Sequence, residues 1–137
     1  RNLERLRANI GLNGLESRTD LRPVAVSAKA GRLRLVPGPG SNTGTSRLNA
    51  AVGADGYDVD VVALDEVFIE SGKTIALKMD VEGHEVEALR GMERMLRENA
   101  GVVQIETSEA RDEVMKIMAG FGYRPTARFM HDHVFEK

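Results

Sequence analysis

The chain has 137 residues, 42% of them hydrophobic and 29% charged, with a formal net charge of −2. That length suits one domain, residues 1–137, built around one core. The absence of cysteine excludes disulfides and thiolate metal sites and is compatible with a reducing cytoplasm. No apolar run approaches the roughly 18 residues that a membrane span needs, and no signal peptide is visible, so no membrane partner is expected.

Charge is uneven along the chain. Through Arg47 there are nine basic residues and three acidic ones, and the acids are concentrated in the remainder. Aromatic residues make up only 4% of the chain, so the basic half lacks the interleaved stacking groups of a nucleic-acid surface and reads as a solvated face.

Residues 1–13 read as a helix with Leu3, Leu6 and Ile10 on one face, stopped by Asn13-Gly14. Leu21 to Val26 and Arg32 to Val36 are strand candidates separated by a turn at Ala30-Gly31. The proline- and glycine-rich stretch from Pro37 to Gly44 is a loop. Tyr57 to Leu64 and Ile75 to Val81 read as further strands. Glu85 to Glu98 carries a wide apolar stripe of Val86, Leu89, Met92, Met95 and Leu96, which predicts one helix. Gly101 to Glu106 is the next strand. A helix with Val114, Ile117, Met118 and Phe121 on its face follows, and the tail from Tyr123 to Phe135 forms one or two strands. Strands at 75–81 and 101–106 joined by a helix make a βαβ unit, so they should be adjacent, parallel and central in an open α/β sheet.

The chemistry concentrates at the end of the 75–81 strand. In an extended chain Lys78, Asp80 and Glu82 point to one side, and Leu77, Met79 and Val81 to the other. Burying three unpaired charges is costly. Either the strand ends near Met79 and the acids reach a solvated cleft, or Lys78 pairs with a carboxylate. Gly83 permits a sharp turn into the helix, where Glu85 and Glu87 meet the favourable end of the macrodipole. Two acids at the carboxyl end of a strand stand where open α/β sheets place ligands, although capping and solvation alone would also use them. His131-Asp132-His133 is a second constellation. A His-x-His pair in one strand points both rings to one side, where they could join Asp80, Glu82 and His84 around a metal, but surface histidines are the commoner case and no metal is expected.

The segment Leu77-Lys78-Met79-Asp80-Val81-Glu82-Gly83-His84-Glu85-Val86-Glu87-Ala88-Leu89-Arg90-Gly91 resembles the signature of the FkbM family of S-adenosylmethionine-dependent methyltransferases. Other pieces resemble that family in order: Asn2 to Leu15, Pro23 to Ser27, Ser41 to Leu48, Val62 to Glu66, Val102 to Glu106 and Gly122-Tyr123. The resemblance implies a Rossmann-like methyltransferase fold with a mostly parallel open sheet and flanking helices. It implies methyl transfer from S-adenosyl-L-methionine, usually to a hydroxyl oxygen of a small-molecule or glycan acceptor. By the same resemblance Asp80 stands near the transferring methyl, with Glu82 and His84 at the same rim as catalytic candidates. Ala25 and Val26 match the strand end that approaches the cofactor's adenine, and Asn42 and Glu106 fall to the acceptor side.

The family's glycine-rich turn and ribose-binding acid, after its first two strands, have no counterpart among the 137 residues. Gly38-Pro39-Gly40 opens no helix and fails as a substitute. Beginning at Arg1, the chain reads as the C-terminal part of such a domain with the first two strands missing, and it should bind the cofactor poorly alone. Two other readings remain open from the residues: a metal-dependent hydrolase using Asp80, Glu82, His84 and His131, and a non-catalytic α/β interaction module.

Overall fold

In the computed structural model, which describes residues 2–38, 46–49 and 56–137, the chain is mixed α/β with two four-stranded sheets. A helix, α1 (Asn2–Leu12), and a single 3-10 turn (Glu16–Arg18) lead into the first sheet. Its strands are β1 (Ala25–Val26), β2 (Gly31–Val36), β3 (Arg47–Asn49) and β4 (Tyr57–Val62), in the order β1-β4-β2-β3. A short helix, α2 (Leu64–Val67), leads on to the second sheet. Its strands are β5 (Thr74–Met79), β6 (Ala100–Glu106), β7 (Arg124–Phe129) and β8 (Asp132–Glu136), in the order β5-β6-β8-β7. Helices α3 (Glu85–Arg90) and α4 (Glu93–Glu98) join β5 to β6, and α5 (Arg111–Gly120) follows β6.

β5 and β6 are parallel neighbours, with Ile75 opposite Gly101 and Met79 opposite Ile105. The expectation of a mostly parallel sheet is corrected: β1 with β4 and β5 with β6 are parallel, and every other described pair is antiparallel. Connection length explains this. The helical crossover between β5 and β6 can return the chain in the same direction, whereas β7 and β8 are joined by a two-residue turn that forces reversal. β5 is also an edge strand of its sheet, not a central one. Its Thr74, Ala76 and Lys78 are exposed, while Met79 on the other face is buried. That one-sided burial is the pattern of a sheet packed on a single layer.

The layer consists of α3, α4 and α5. Met79, Val103, Ile105 and Phe135 from the sheet pack in one cluster with Leu89, Leu96, Val114 and Met118 from the helices. Val26 of β1 and Leu64 and Phe68 around α2 pack against the same cluster and tie the two sheets together. The helix expected over 85–98 is broken at Gly91-Met92 into α3 and α4. Gly91 meets the backbone of Ser27 so closely that a Cβ there would lie 2.0 Å from its carbonyl oxygen. The restarted helix takes its N-terminal hydrogen bonds from elsewhere: Asp65 Oδ2 and Oδ1 accept from the backbone N–H groups of Arg94 and Met95, at 2.9 and 2.8 Å. A glycine that permits the close approach and a distant carboxylate that caps the new start together account for the break.

Candidate active site

The turn from β5 into α3 sets the site. The strand ends at Met79, two residues earlier than the apolar run suggests, and Asp80 is exposed just beyond it. Glu82 and Gly83 then take positive φ values of 51° and 93°. Glycine does this freely, but a glutamate held there costs on the order of 1–2 kcal/mol, a strain that recurs at functional sites. The side chain of Glu85 folds back so that its Oε1 accepts the Gly83 N–H at 2.8 Å. Glu85 is only 3% exposed, so this carboxylate is part of the wall rather than a solvated helix-end charge. Both alternatives for Lys78 are realised: the strand stops before the acids, and Lys78 Nζ lies 3.4 Å from Asp132 Oδ1. The Gln104 amide donates to the same oxygen at 2.8 Å. These donors hold the Asp132 carboxyl below the usual carboxylate range, against the opposing effect of burial.

A cavity of about 90 Å³ opens at the carboxyl ends of β5 and β6. Its wall includes Asp80, Glu82, Gly83 and Glu85 from the turn, Glu106 to Glu109 after β6, Arg47 from β3 and His131 from the β7–β8 turn. The backbone stitches two of these together, because Thr107 N–H donates to the His131 carbonyl at 2.9 Å. Arg47 reaches across from the first sheet to Glu109, at 3.8 Å. The Thr107 hydroxyl is buried without a hydrogen-bond partner. Five carboxylates against one arginine make the cavity strongly acidic. Its volume takes a small reacting group, well short of the 300–1,000 Å³ of a whole-ligand pocket.

Asp80, Glu82 and Glu106 therefore line one cavity, and His131 joins them. His84 does not. Its ring turns to the opposite side of the turn, where Nε2 and Ser27 Oγ share a 3.0 Å hydrogen bond beside β1. Burial pushes the His84 imidazole below its ordinary value, against the pull of Glu87 and Glu85. Ala25 and Val26 form β1, on that same side of the molecule. Asn42 lies outside the described residues. The expected His-x-His pair is split, because β8 starts only at Asp132: His131 sits in the turn, and His133 is buried under the sheet with Nε2 unpartnered. Burial, with Arg128 and Arg111 nearby, pushes the His133 imidazole down. Among the described residues no three His, Asp or Glu side chains come together as metal ligands, so the hydrolase reading loses its constellation.

Sequence reasoning did not single out Arg47, Thr107 or Ser27, which come from other elements. Ser27 and Arg47 do lie in the family-like segments Pro23 to Ser27 and Ser41 to Leu48, but neither side chain stands out there, and Thr107 carries no such signal. Glu85 carries a signal, its place two residues after Gly83, but in sequence that place is equally one of helix-end electrostatics.

Comparison with curated proteins and comparison with solved structures each returned no match. A family model described as the methyltransferase FkbM domain matches residues 1–125, which takes in the turn after β5, the cavity wall as far as Glu109 and the whole β5–β6 unit. The chain belongs to the FkbM methyltransferase domain family, and it is a methyltransferase domain.

Proposed function

We propose that this domain transfers the methyl group of S-adenosyl-L-methionine to a hydroxyl oxygen of a small-molecule or glycan acceptor, and that it does so in the cytoplasm. The observation that carries the reading is the convergence of Asp80, Glu82 and Glu106 on one small cavity at the carboxyl ends of the β5–β6 pair, within a chain of this family. The donor set fits the reacting end of the cofactor: carboxylates suit a sulfonium centre and an ammonium group. When bound, the cofactor supplies an electrophilic methyl carbon. Asp80, exposed at the rim, would orient the acceptor hydroxyl and hold the proton that it gives up. Glu82, held in its strained backbone conformation, fixes the second side of that hydroxyl. Glu106 contacts the acceptor, and Asn42 is assigned there from the family resemblance. Ala25 and Val26 take the adenine end.

His84 was the other candidate base. Its bond to Ser27 supports a different role, holding the end of β1 against the turn, and leaves proton transfer to the carboxylates. The test is transfer of tritiated methyl from S-adenosylmethionine by the full-length protein to a panel of hydroxyl-bearing acceptors. The expected product is a base-stable ether. A base-labile methyl ester or an N-methyl product would overturn O-methylation. No transfer by a protein shown to bind the cofactor would overturn the reading itself.

A further inference from the structure

The acidic cavity is too small to hold an acceptor alone, and its wall residue His131 directly follows two exposed apolar side chains in the chain. At the tip of the β7–β8 hairpin, Phe129 and Met130 are 66% and 82% exposed. A single exposed apolar side chain is ordinary on a protein surface. Here two large ones are adjacent, and the next residue, His131, is part of the cavity wall. The tip is fastened in place. Thr107 N–H holds the His131 carbonyl, and Arg128 Nε donates to the Met130 carbonyl at 3.0 Å. Met130 has φ of 56°, a left-handed conformation that costs a non-glycine residue energy. Among the described residues the non-glycine positions with positive φ are Glu82 and Met130, one in the cavity wall and the other beside it. The hairpin tip lies beyond the residues matched to the family, 1–125.

Charge limits the other end of the ligand. An anion entering the cavity would meet five carboxylates, and among the described residues of the wall the one arginine already faces Glu109.

We propose that the acceptor is an amphiphile without an anionic group, its hydroxyl-bearing end in the acidic cavity and its apolar body lying on Phe129 and Met130. This rests on the reading of the cavity as the methyl-transfer site and names its substrate class. Apolar contact on the hairpin supplies binding, and the cavity selects the polar end.

The test is a cofactor-free titration of the isotopically labelled chain, followed by amide NMR, with three probes: octyl β-D-glucoside below its micellar concentration, glucose, and octyl β-D-glucuronide. The expected result is that octyl glucoside shifts the amides of Gly83, Thr107 and residues 129–131 and binds at least about 10-fold more tightly than either other probe. The double variant F129S/M130S should lose that 10-fold advantage and melt at the temperature of the parent, since both side chains are exposed. Equal binding of glucose or of the glucuronide, shifts confined to other surfaces, no binding of octyl glucoside, or no effect of F129S/M130S would each overturn the proposal. Because no methyl is transferred in this assay, its failure is distinct from failure of the methyl-transfer reading.

Discussion

Asp65 is the residue whose loss should reveal most about how the β5–β6 crossover is held. Its two carboxylate oxygens accept the second and third backbone N–H groups of α4, at 2.9 and 2.8 Å, although it stands 29 and 30 residues earlier in the chain. The residue at the N-terminal boundary of α4, Met92, offers no side-chain cap of its own. Asp65→Ala therefore leaves two donors of a partly buried helix end unsatisfied. Losing a helix cap costs about 0.5–2 kcal/mol, and hydrogen bonds to a charged group are worth about 1.5–3 kcal/mol each. Because both bonds share one carboxylate and water can reach part of the site, we expect a total of about 2–3 kcal/mol. For a chain of this length that corresponds to a fall in Tm of roughly 8–12 °C. Asp65→Asn keeps one acceptor oxygen and should lose about half as much. Urea titration followed by circular dichroism measures both. An Asp65→Ala variant within about 0.5 kcal/mol of the parent would refute the assignment of this carboxylate as the cap of α4.

Gly91→Ala would drive a Cβ to 2.0 Å from the Ser27 carbonyl oxygen, so we expect about 1–3 kcal/mol of destabilisation and a rise of the His84 pKa toward its ordinary value, read by urea titration and histidine NMR. His84 and His133 both titrate below their ordinary value when folded, so the unfolded chain takes up protons first as pH falls. Stability should be whole above about pH 6.5 and fall below it, with Asp132 still charged; a urea midpoint at pH 5.5 equal to that at pH 7.5 would contradict both assignments. The 137 residues contain no glycine-rich nucleotide turn, so isothermal titration should find S-adenosylmethionine binding no tighter than roughly millimolar to this chain alone; micromolar binding would mean that another segment replaces the turn.

Local pattern made β5, its terminal acids, Gly83 and the following helix legible, because alternation and a strand-ending glycine act within a few residues. The parallel β5–β6 pair followed from the length of its crossover. What stayed hidden depended on distant partners. The break between α3 and α4 needs Ser27 beside Gly91 and Asp65 beneath α4, and an apolar stripe continuous from Val86 to Leu96 does not disclose either. His84 reads as a rim residue from its neighbours in sequence, yet its ring is claimed by Ser27, 57 residues away. The mostly parallel sheet that the sequence suggests gives way to antiparallel pairs in both sheets, which strand propensity alone does not orient. A His-x-His spacing suggests one strand for His131 and His133, but His131 belongs to the β7–β8 turn and only His133 lies in β8.

The most direct test of the cavity's role is Asp80→Asn in the full-length protein. The substitution keeps the side chain's shape at an exposed position and removes the charge that orients the acceptor and takes its proton. Turnover should fall by roughly 100-fold or more, the usual scale for a lost general base, while Tm stays within about 1 °C of the parent. Unchanged turnover, or losses of turnover and stability in equal measure, would contradict a catalytic Asp80 and leave these carboxylates as parts of the turn.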